Sequence, residues 1–350
     1  MGRKLLWGSL ILAPVTIVLR YVVHAGDVTL FVLSAAALVP LAWLIGEATD
    51  HAGEHTGPGI GGFLNASFGN APELIIALFA VADSLPEVVR GSLTGSIVSN
   101  LLLVLGLALV AGNDREALDR SSLFVQLGLV AAAVLLFLVP AVPGFHGDHE
   151  RHSLAVATAP VAAVLLVLYA GVTAWGLRRH KRLYEESGAE PGGGGGWSLP
   201  VALATLAVAT VLTAIASEIL VHSLQAFAEA AGLSEFFIAT VIVAIVGNAA
   251  EHGGAIVIAR RGKLQLATEI AVSSSAQVAL LVTPAVALLA WIVTPALPLS
   301  FRPVELAAMG VSAVVAGIVF WDGRGRRPEG VVLVGLYVAL AAVFFGVGNR

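Results

Sequence analysis

The chain is divided into eleven apolar stretches, and that division constrains its fold more than any other feature. The stretches lie near 5–23, 29–46, 62–82, 88–111, 121–142 and 154–176, and after a polar break near 199–221, 235–259, 266–293, 304–321 and 330–348. A helix needs about 20 mostly apolar residues to cross the hydrocarbon core of a bilayer. In lipid every backbone N–H and C=O must find a partner inside the structure, so runs of this length predict membrane helices. The charge content agrees: 12% of the 350 residues are charged, against about a quarter in soluble proteins. The predicted fold class is therefore an all-α integral membrane protein with eleven transmembrane helices.

The first stretch follows Arg3 and Lys4, as a signal peptide would, but it is long enough to span and lacks a small-residue cleavage pattern. It is read as the first membrane helix. The ninth stretch holds Pro284, which predicts a kink. Lysine and arginine accumulate in cytoplasmic loops. With the N-terminus inside, the inside segments hold Arg3, Lys4, Arg115, Arg120, Arg178, Arg179, Lys181, Arg182, Arg260, Arg261, Lys263, Arg324, Arg326 and Arg327. The other side keeps only Arg20, Arg90, Arg151, Arg302 and Arg350. The expected orientation is N-terminus cytoplasmic and C-terminus outside, in the inner (plasma) membrane of a prokaryote.

Residues 177–198 are basic at first, then carry Glu185, Glu186, Glu190 and the glycine run 192–196, and read as a flexible cytoplasmic linker. The expected division is a first helix in 1–27, five helices in 28–176, the linker, and five more helices in 199–350.

The two five-helix blocks share a pattern. Gly69-Asn70-Ala71-Pro72-Glu73 in the third stretch returns as Gly247-Asn248-Ala249-Ala250-Glu251 in the eighth, 178 positions on. About 25 residues later each block has a second polar patch: Ser96, Ser99 and Asn100 in one, Ser273, Ser274, Ser275 and Gln277 in the other. Because five is odd, the copies must enter the membrane in opposite senses. Such inverted repeats hold their substrate at the repeat interface near the bilayer midplane.

Glu73 and Glu251 stand in otherwise apolar helices, where a charge costs at least about 2.5 to 3.5 kcal/mol and marks function by default. Asn70 and Asn248, three residues earlier, share a helical face with them. Gly69 and Gly247 let helices approach or the backbone open, and Pro72 supports a local break. The side chains are oxygen donors throughout, which suits hard cations taking six to eight oxygens. With 0 Cys and 9 His, zinc or copper is a poor fit. Burial and mutual repulsion both disfavour a pair of bare carboxylates. One Ca²⁺ or two protons would each neutralise it, and an occupied pair crosses a closed apolar state more easily than an empty one. The pattern thus predicts obligatory exchange, with Ca²⁺ and H⁺ competing for Glu73 and Glu251. A passive cation channel and an intramembrane metalloenzyme are the alternatives from other classes. No HExxH or comparable ligand triad supports the latter.

These residues also carry a resemblance. The chain resembles the calcium/cation–proton exchanger (CAX) family of the cation/calcium exchanger superfamily, through Gly46-Glu47-Ala48-Thr49 with Thr56-Gly57-Pro58, the paired motifs, Gly91-Ser92-Leu93-Thr94-Gly95-Ser96 with Asn100, His252, Asp322-Gly323 and Glu329-Gly330. The resemblance implies eleven helices in one-plus-five-plus-five order and a secondary active Ca²⁺/H⁺ antiporter with no cofactor, no enzymatic activity and no nucleic-acid partner. It implies metal binding at Glu73 and Glu251, lined by Asn70, Asn248, Ser96, Asn100, Ser274 and Gln277, and a gating or proton-carrying role for His252. A third proton on His252 would make exchange electrogenic. Other exchanges on the same scaffold (Na⁺/H⁺, Mn²⁺/H⁺ or Na⁺/Ca²⁺) stay open, as does the oligomeric state, a homo-oligomer included. The chain departs from the family at Pro72, where a small residue is usual, at Ser99, where glycine is, and in its basic rather than acidic linker.

Three weaker features complete the reading. Glu47 and Glu54, with Asp50, His51 and His55, cluster after the second stretch as a candidate cation vestibule, and Glu218, read as buried, is a candidate counterpart. His146, Asp148, His149, Glu150 and His152 form a metal-like outside loop that is more simply a solvated one. Gly57–Gly62 matches GxGxxG formally, but it follows no strand and has no dinucleotide reading.

Overall fold

A computed structural model describes residues 2–145, 152–187, 196–293 and 297–348, with the side chains of 2, 3, 57–63, 65, 66 and 175–187 outside that description. The chain is helical almost throughout. Helices α1 (Gly2–Ser9) and α2 (Leu12–Val18) precede α3 (Asp27–Phe68), α4 (Ala71–Ala82), α5 (Pro86–Val98), α6 (Leu105–Ala111), α7 (Arg120–Ala141) and α8 (His152–Ser187). Then follow α9 (Leu199–Ala231), α10 (Glu235–Phe237), α11 (Ala244–Gly247), α12 (Ala249–Arg260), α13 (Leu264–Gln277), α14 (Thr283–Val293), α15 (Pro303–Val319) and α16 (Arg327–Gly348). Two-residue strands β1 (Glu116–Ala117) and β2 (Arg324–Gly325) pair antiparallel and tie the α6–α7 and α15–α16 connections together.

Among the described residues eight helices are long and apolar enough to cross a membrane, and the bent pair Glu235–Gly247 and Ala249–Arg260 makes a ninth. Ala71–Ala82 and Pro303–Val319 are shorter apolar helices. Large apolar side chains face outward along these helices, as at Ile292 (81% exposed) and Val167 (72%), which is the surface that lipid covers.

Several predicted boundaries shift. The polar segment after the second stretch does not interrupt the helix, because α3 continues for 42 residues to Phe68. Glu47, Ala48, Ala52 and Glu54 tolerate helix, while Gly53, Gly57, Pro58 and Gly59 inside α3 are the positions where a helix bends most readily. The linker is likewise helical at its start, since α8 runs through the basic residues to Ser187. The metal-like loop at 146–151 and most of the glycine run lie outside the described residues. The kink expected at Pro284 takes the form of a π-helical segment, Val278–Val282, just before it. Proline supplies no N–H, and the Thr283 hydroxyl donates back to the Val278 carbonyl at 2.8 Å. A matching π-helical segment, Ser99–Val104, joins α5 to α6 immediately after the first polar patch.

Small residues let the central helices touch. A Cβ on Gly95 would sit 2.0 Å from the Thr240 carbonyl oxygen, and one on Gly330 would sit 2.5 Å from that of Gly106. These crossings bring α5 against the Ile238–Val243 segment and α6 against α16, and so fix the walls around the polar patches.

Candidate functional site

Both sequence motifs break their helix at the asparagine. Asn70 (φ −99°, ψ 15°) precedes α4, and Asn248 (φ −88°, ψ 10°) precedes α12 with a 57° bend. The two backbones are therefore nearly the same. Each break starts a new helix with its glutamate in the first turn. There the free N–H groups and the positive end of the helix dipole favour an anion, which explains how a carboxylate is tolerated inside an apolar bundle.

Glu73 is 7% exposed and Asn70 2%, whereas Glu251 is partly accessible. The two carboxylates belong to motifs that pack against each other. The ion pairs among the described residues include neither of them, so no salt bridge explains their burial. Gly247 of the second motif packs against the glutamate of the first: a Cβ there would lie 3.1 Å from Glu73 Oε1. Oε2 of Glu73 has no hydrogen-bond partner. Beside it a cavity of about 10 Å³ is lined by Glu73, Ser92, Ser96 and Gly247 among others.

The amides of the two blocks pair across each other. Asn70 donates to Gln277 Oε1 at 2.6 Å. Asn100 donates to Asn248 Oδ1 at 3.3 Å and to Ser274 Oγ at 3.0 Å. Asn248 donates to Ser96 Oγ at 2.9 Å and to its own helix at the Ala244 carbonyl. Ser274 donates in turn to Glu251 Oε2. His252, 8% exposed, meets Asn100 Oδ1 through Nε2 at 3.1 Å. Because an amide oxygen only accepts, the proton of that contact sits on Nε2. The imidazole therefore holds the Asn100 amide rather than either glutamate.

Of the eight expected site residues, Glu251, Ser274, Asn100, Asn248 and Ser96 form one hydrogen-bonded network, Ser96 shares a cavity with Glu73, and Asn70 with Gln277 forms a further pair. The remaining serines do not join it: Ser99, Ser273 and Ser275 donate to backbone carbonyls. Among the described residues no group of three or more His, Asp or Glu could hold a metal ion. Any cation here would rely on two carboxylates supplemented by amide and hydroxyl oxygens.

The vestibule residues separate. His51 lies between Glu47 (Nε2 to Oε1, 3.6 Å) and Glu54 (Nδ1 to Oε2, 3.3 Å) and against the Trp197 ring, while His55 Nε2 donates to the Trp197 carbonyl at 2.7 Å. Glu218, expected to be buried, is exposed. It shares an outer face of α9 with His222, Gln225 and Glu229, about 30 Å along the helix from Trp197.

Sequence reasoning also missed residues. Ser92, four before Ser96 and so on its face, lines the cavity at Glu73. Glu305 (1% exposed) and Arg90 (2%) interact in the interior beside Glu87 and Arg302. The signal for Glu305 was its place three residues after Arg302, whose backbone N–H it caps at the start of α15.

Comparison with known proteins extends the picture. The sequence model of the family described as sodium/calcium exchanger protein matches residues 27–177 and 201–346. The Ca²⁺/H⁺ antiporter ChaA of Bacillus subtilis is 37% identical over 346 residues, covering 94% of this chain and 95% of the relative. The Ca²⁺/H⁺ antiporter of Aphanothece halophytica is 34% identical over 364 residues, covering 98% and 96%. Among solved structures, native YfkE is similar with a TM-score of 0.81 at 33% identity, over 95% of this chain and 96% of that one.

Proposed function

The chain belongs to the sodium/calcium exchanger protein family, and from that premise we propose that it is a secondary active Ca²⁺/H⁺ antiporter. Ca²⁺ and protons compete for Glu73 and Glu251, which are exposed alternately to the two sides of the membrane. The observation that carries this reading is a pair of motif carboxylates packed into one region, neither in an ion pair among the described residues, one of them with an unpartnered oxygen deep in the bundle. Such a pair needs either one divalent cation or two protons.

The amide and hydroxyl groups pair with one another, Asn70 with Gln277 and Asn100 with Asn248 and Ser274. Ca²⁺ entering between the glutamates draws the oxygens of Asn70, Asn248, Asn100, Gln277, Ser96 and Ser274 away from these contacts and takes them as ligands. Protons, which need only the carboxylates, let the amide pairs re-form. His252 acts on this exchange through Asn100, as gate or proton carrier.

The same reading includes eleven spans in a one-plus-five-plus-five order, with the five-helix blocks inverted and the N-terminus cytoplasmic. Support comes from contacts between connections. Those that follow even-numbered stretches meet one another: His55 with Trp197, Asp119 with Gln265, and Arg327 with Asp114. Those that follow odd-numbered ones do likewise: Asp83 with His222, and Glu87 with Arg302. The two family-matched segments divide the chain at the same linker. The paired π-helical segments after the two polar patches add to it. A prokaryotic inner membrane is the proposed location, consistent with relatives in Bacillus subtilis and Aphanothece halophytica.

The test is Ca²⁺ uptake into everted vesicles energised by a pH gradient, with and without sodium. Wild type should take up Ca²⁺ without sodium, and Glu73→Gln and Glu251→Gln should each abolish uptake while melting as wild type does. Undiminished flux in both variants would end the proposal. Flux without any counter-ion gradient would favour a channel instead.

A further inference from the structure

An apolar groove lies on the outer surface, lined by none of the residues of the candidate ion site. Helices α7 and α15 leave a groove of about 510 Å³ between them, lined almost wholly by apolar atoms. Phe124, Gly128 and Leu135 form one wall, and Gly310, Val314 and Trp321 the other. The groove stays open because its walls carry glycines where larger side chains would project into it. A Cβ on Gly128 would meet nothing within 4 Å, and one on Gly310 would only touch Val134 at 4.0 Å.

Its length is informative. Phe124 to Leu135 is eleven helical steps, about 16 Å at 1.5 Å per residue, and one leaflet is about half of a 30 Å hydrocarbon core. The groove therefore runs the depth of a single leaflet, from the polar boundary to the midplane.

The boundary end is marked by Trp321, 69% exposed, a residue type favoured at membrane interfaces. Above the same end stands Arg120. Its guanidinium carbon lies 5.9 Å from the Phe124 ring centre and 5.8 Å from that of Trp321. Its stem crosses Gly323, whose φ of +71° and missing Cβ make room: a Cβ there would be 2.8 Å from Arg120 Cδ. Among the described residues Arg120 has no carboxylate in ion-pair contact, although its neighbour Arg326 has Asp322 and Glu329. Asp119 beside it is occupied in capping α7 through Ser121 and Ser122.

We infer that this groove is a binding site for an anionic phospholipid, one acyl chain lying between α7 and α15 and the headgroup phosphate on Arg120. The positive charge selects the headgroup, and the leaflet-long apolar slot selects a chain. In the orientation proposed above the lipid comes from the cytoplasmic leaflet, but the site itself does not depend on that orientation.

The test uses the full-length protein purified in detergent and supplied with phosphatidylglycerol or phosphatidylcholine, with bound lipid counted by native mass spectrometry. Wild type should retain phosphatidylglycerol in preference to phosphatidylcholine. Arg120→Gln should weaken phosphatidylglycerol binding about fivefold and erase the preference. Gly128→Leu, whose Cβ meets nothing within 4 Å and whose branch projects into the slot, should reduce retention of both lipids at an unchanged melting temperature. Arg120→Gln decides the matter alone should Gly128→Leu not fold. Equal retention of the two lipids by wild type, or wild-type phosphatidylglycerol retention in Arg120→Gln, would overturn the inference. So would displacement of the lipid by millimolar inorganic phosphate, which would make a soluble anion the ligand. A Gly128→Leu variant that changes oligomeric state with lipid unchanged would also overturn it, by seating a second copy in the groove.

Discussion

Gly247→Ala isolates the ion site from the stability of the fold. The new methyl would stand 3.1 Å from Glu73 Oε1 and 3.5 Å from its carboxyl carbon. Ordinary contact begins at 3.4 Å, so the carboxylate must retreat by at least 0.3 Å (3.4 − 3.1 Å). Backbone is not involved, and the far end of a glutamate side chain can yield. Turning it part-way off its rotamer costs about 0.5–1.5 kcal/mol, which at 1.4 kcal/mol per tenfold is about a 2- to 12-fold loss of ion affinity. Gly247 ends α11 without a positive φ, so alanine is tolerated by the backbone and the protein should melt about as wild type does. The assay is a Ca²⁺ titration of pH-driven uptake beside a melting curve in detergent. We expect KM for Ca²⁺ to rise about 2- to 12-fold with the melting temperature held. An unchanged KM would refute the claim that Gly247 positions the opposing glutamate.

Further outcomes follow from the same structure. Gly95→Ala drives a methyl to 2.0 Å from the Thr240 carbonyl oxygen, where backbone must move. It should destabilise by about 1–3 kcal/mol or more, visible as a lower melting temperature. Competition for two carboxylates sets the sign of the pH effect. Acidifying the side from which Ca²⁺ loads protonates the pair, so apparent KM should rise while Vmax holds; a fall in Vmax at constant KM would contradict a shared site. Exchange of two protons for one Ca²⁺ moves no net charge, so a potassium diffusion potential imposed with valinomycin should leave uptake unchanged. A strong response would place a third proton on His252.

The site was legible where it repeats. Glu73 and Glu251 stand out because charge in an apolar helix is rare, and the offset of 178 ties them to their asparagines. The helix breaks were foreshadowed by Gly69 and Pro72. What the residues could not announce was the pairing across blocks. Asn70 and Gln277 are 207 positions apart, and only packing brings them together. Exposure within a helix was equally opaque. Arg90 reads as a charge at a span end, yet α5 buries it beside Glu305. Glu218 reads as buried, yet the rotation of α9 turns it out. Periodicity gives the face a residue shares, but not which neighbour that face meets.

The crossed amide pairs have one more consequence. Since Asn70 reaches Gln277 and Asn248 reaches Asn100, neither five-helix block contains a smaller version of the binding centre. A chain severed between α8 and α9 and produced as two fragments should therefore recover ion binding all at once, on reassembly, and not in proportion to either fragment. A duplicated ancestor of one block would have faced the same condition, and could have held an ion only by associating with an oppositely inserted twin.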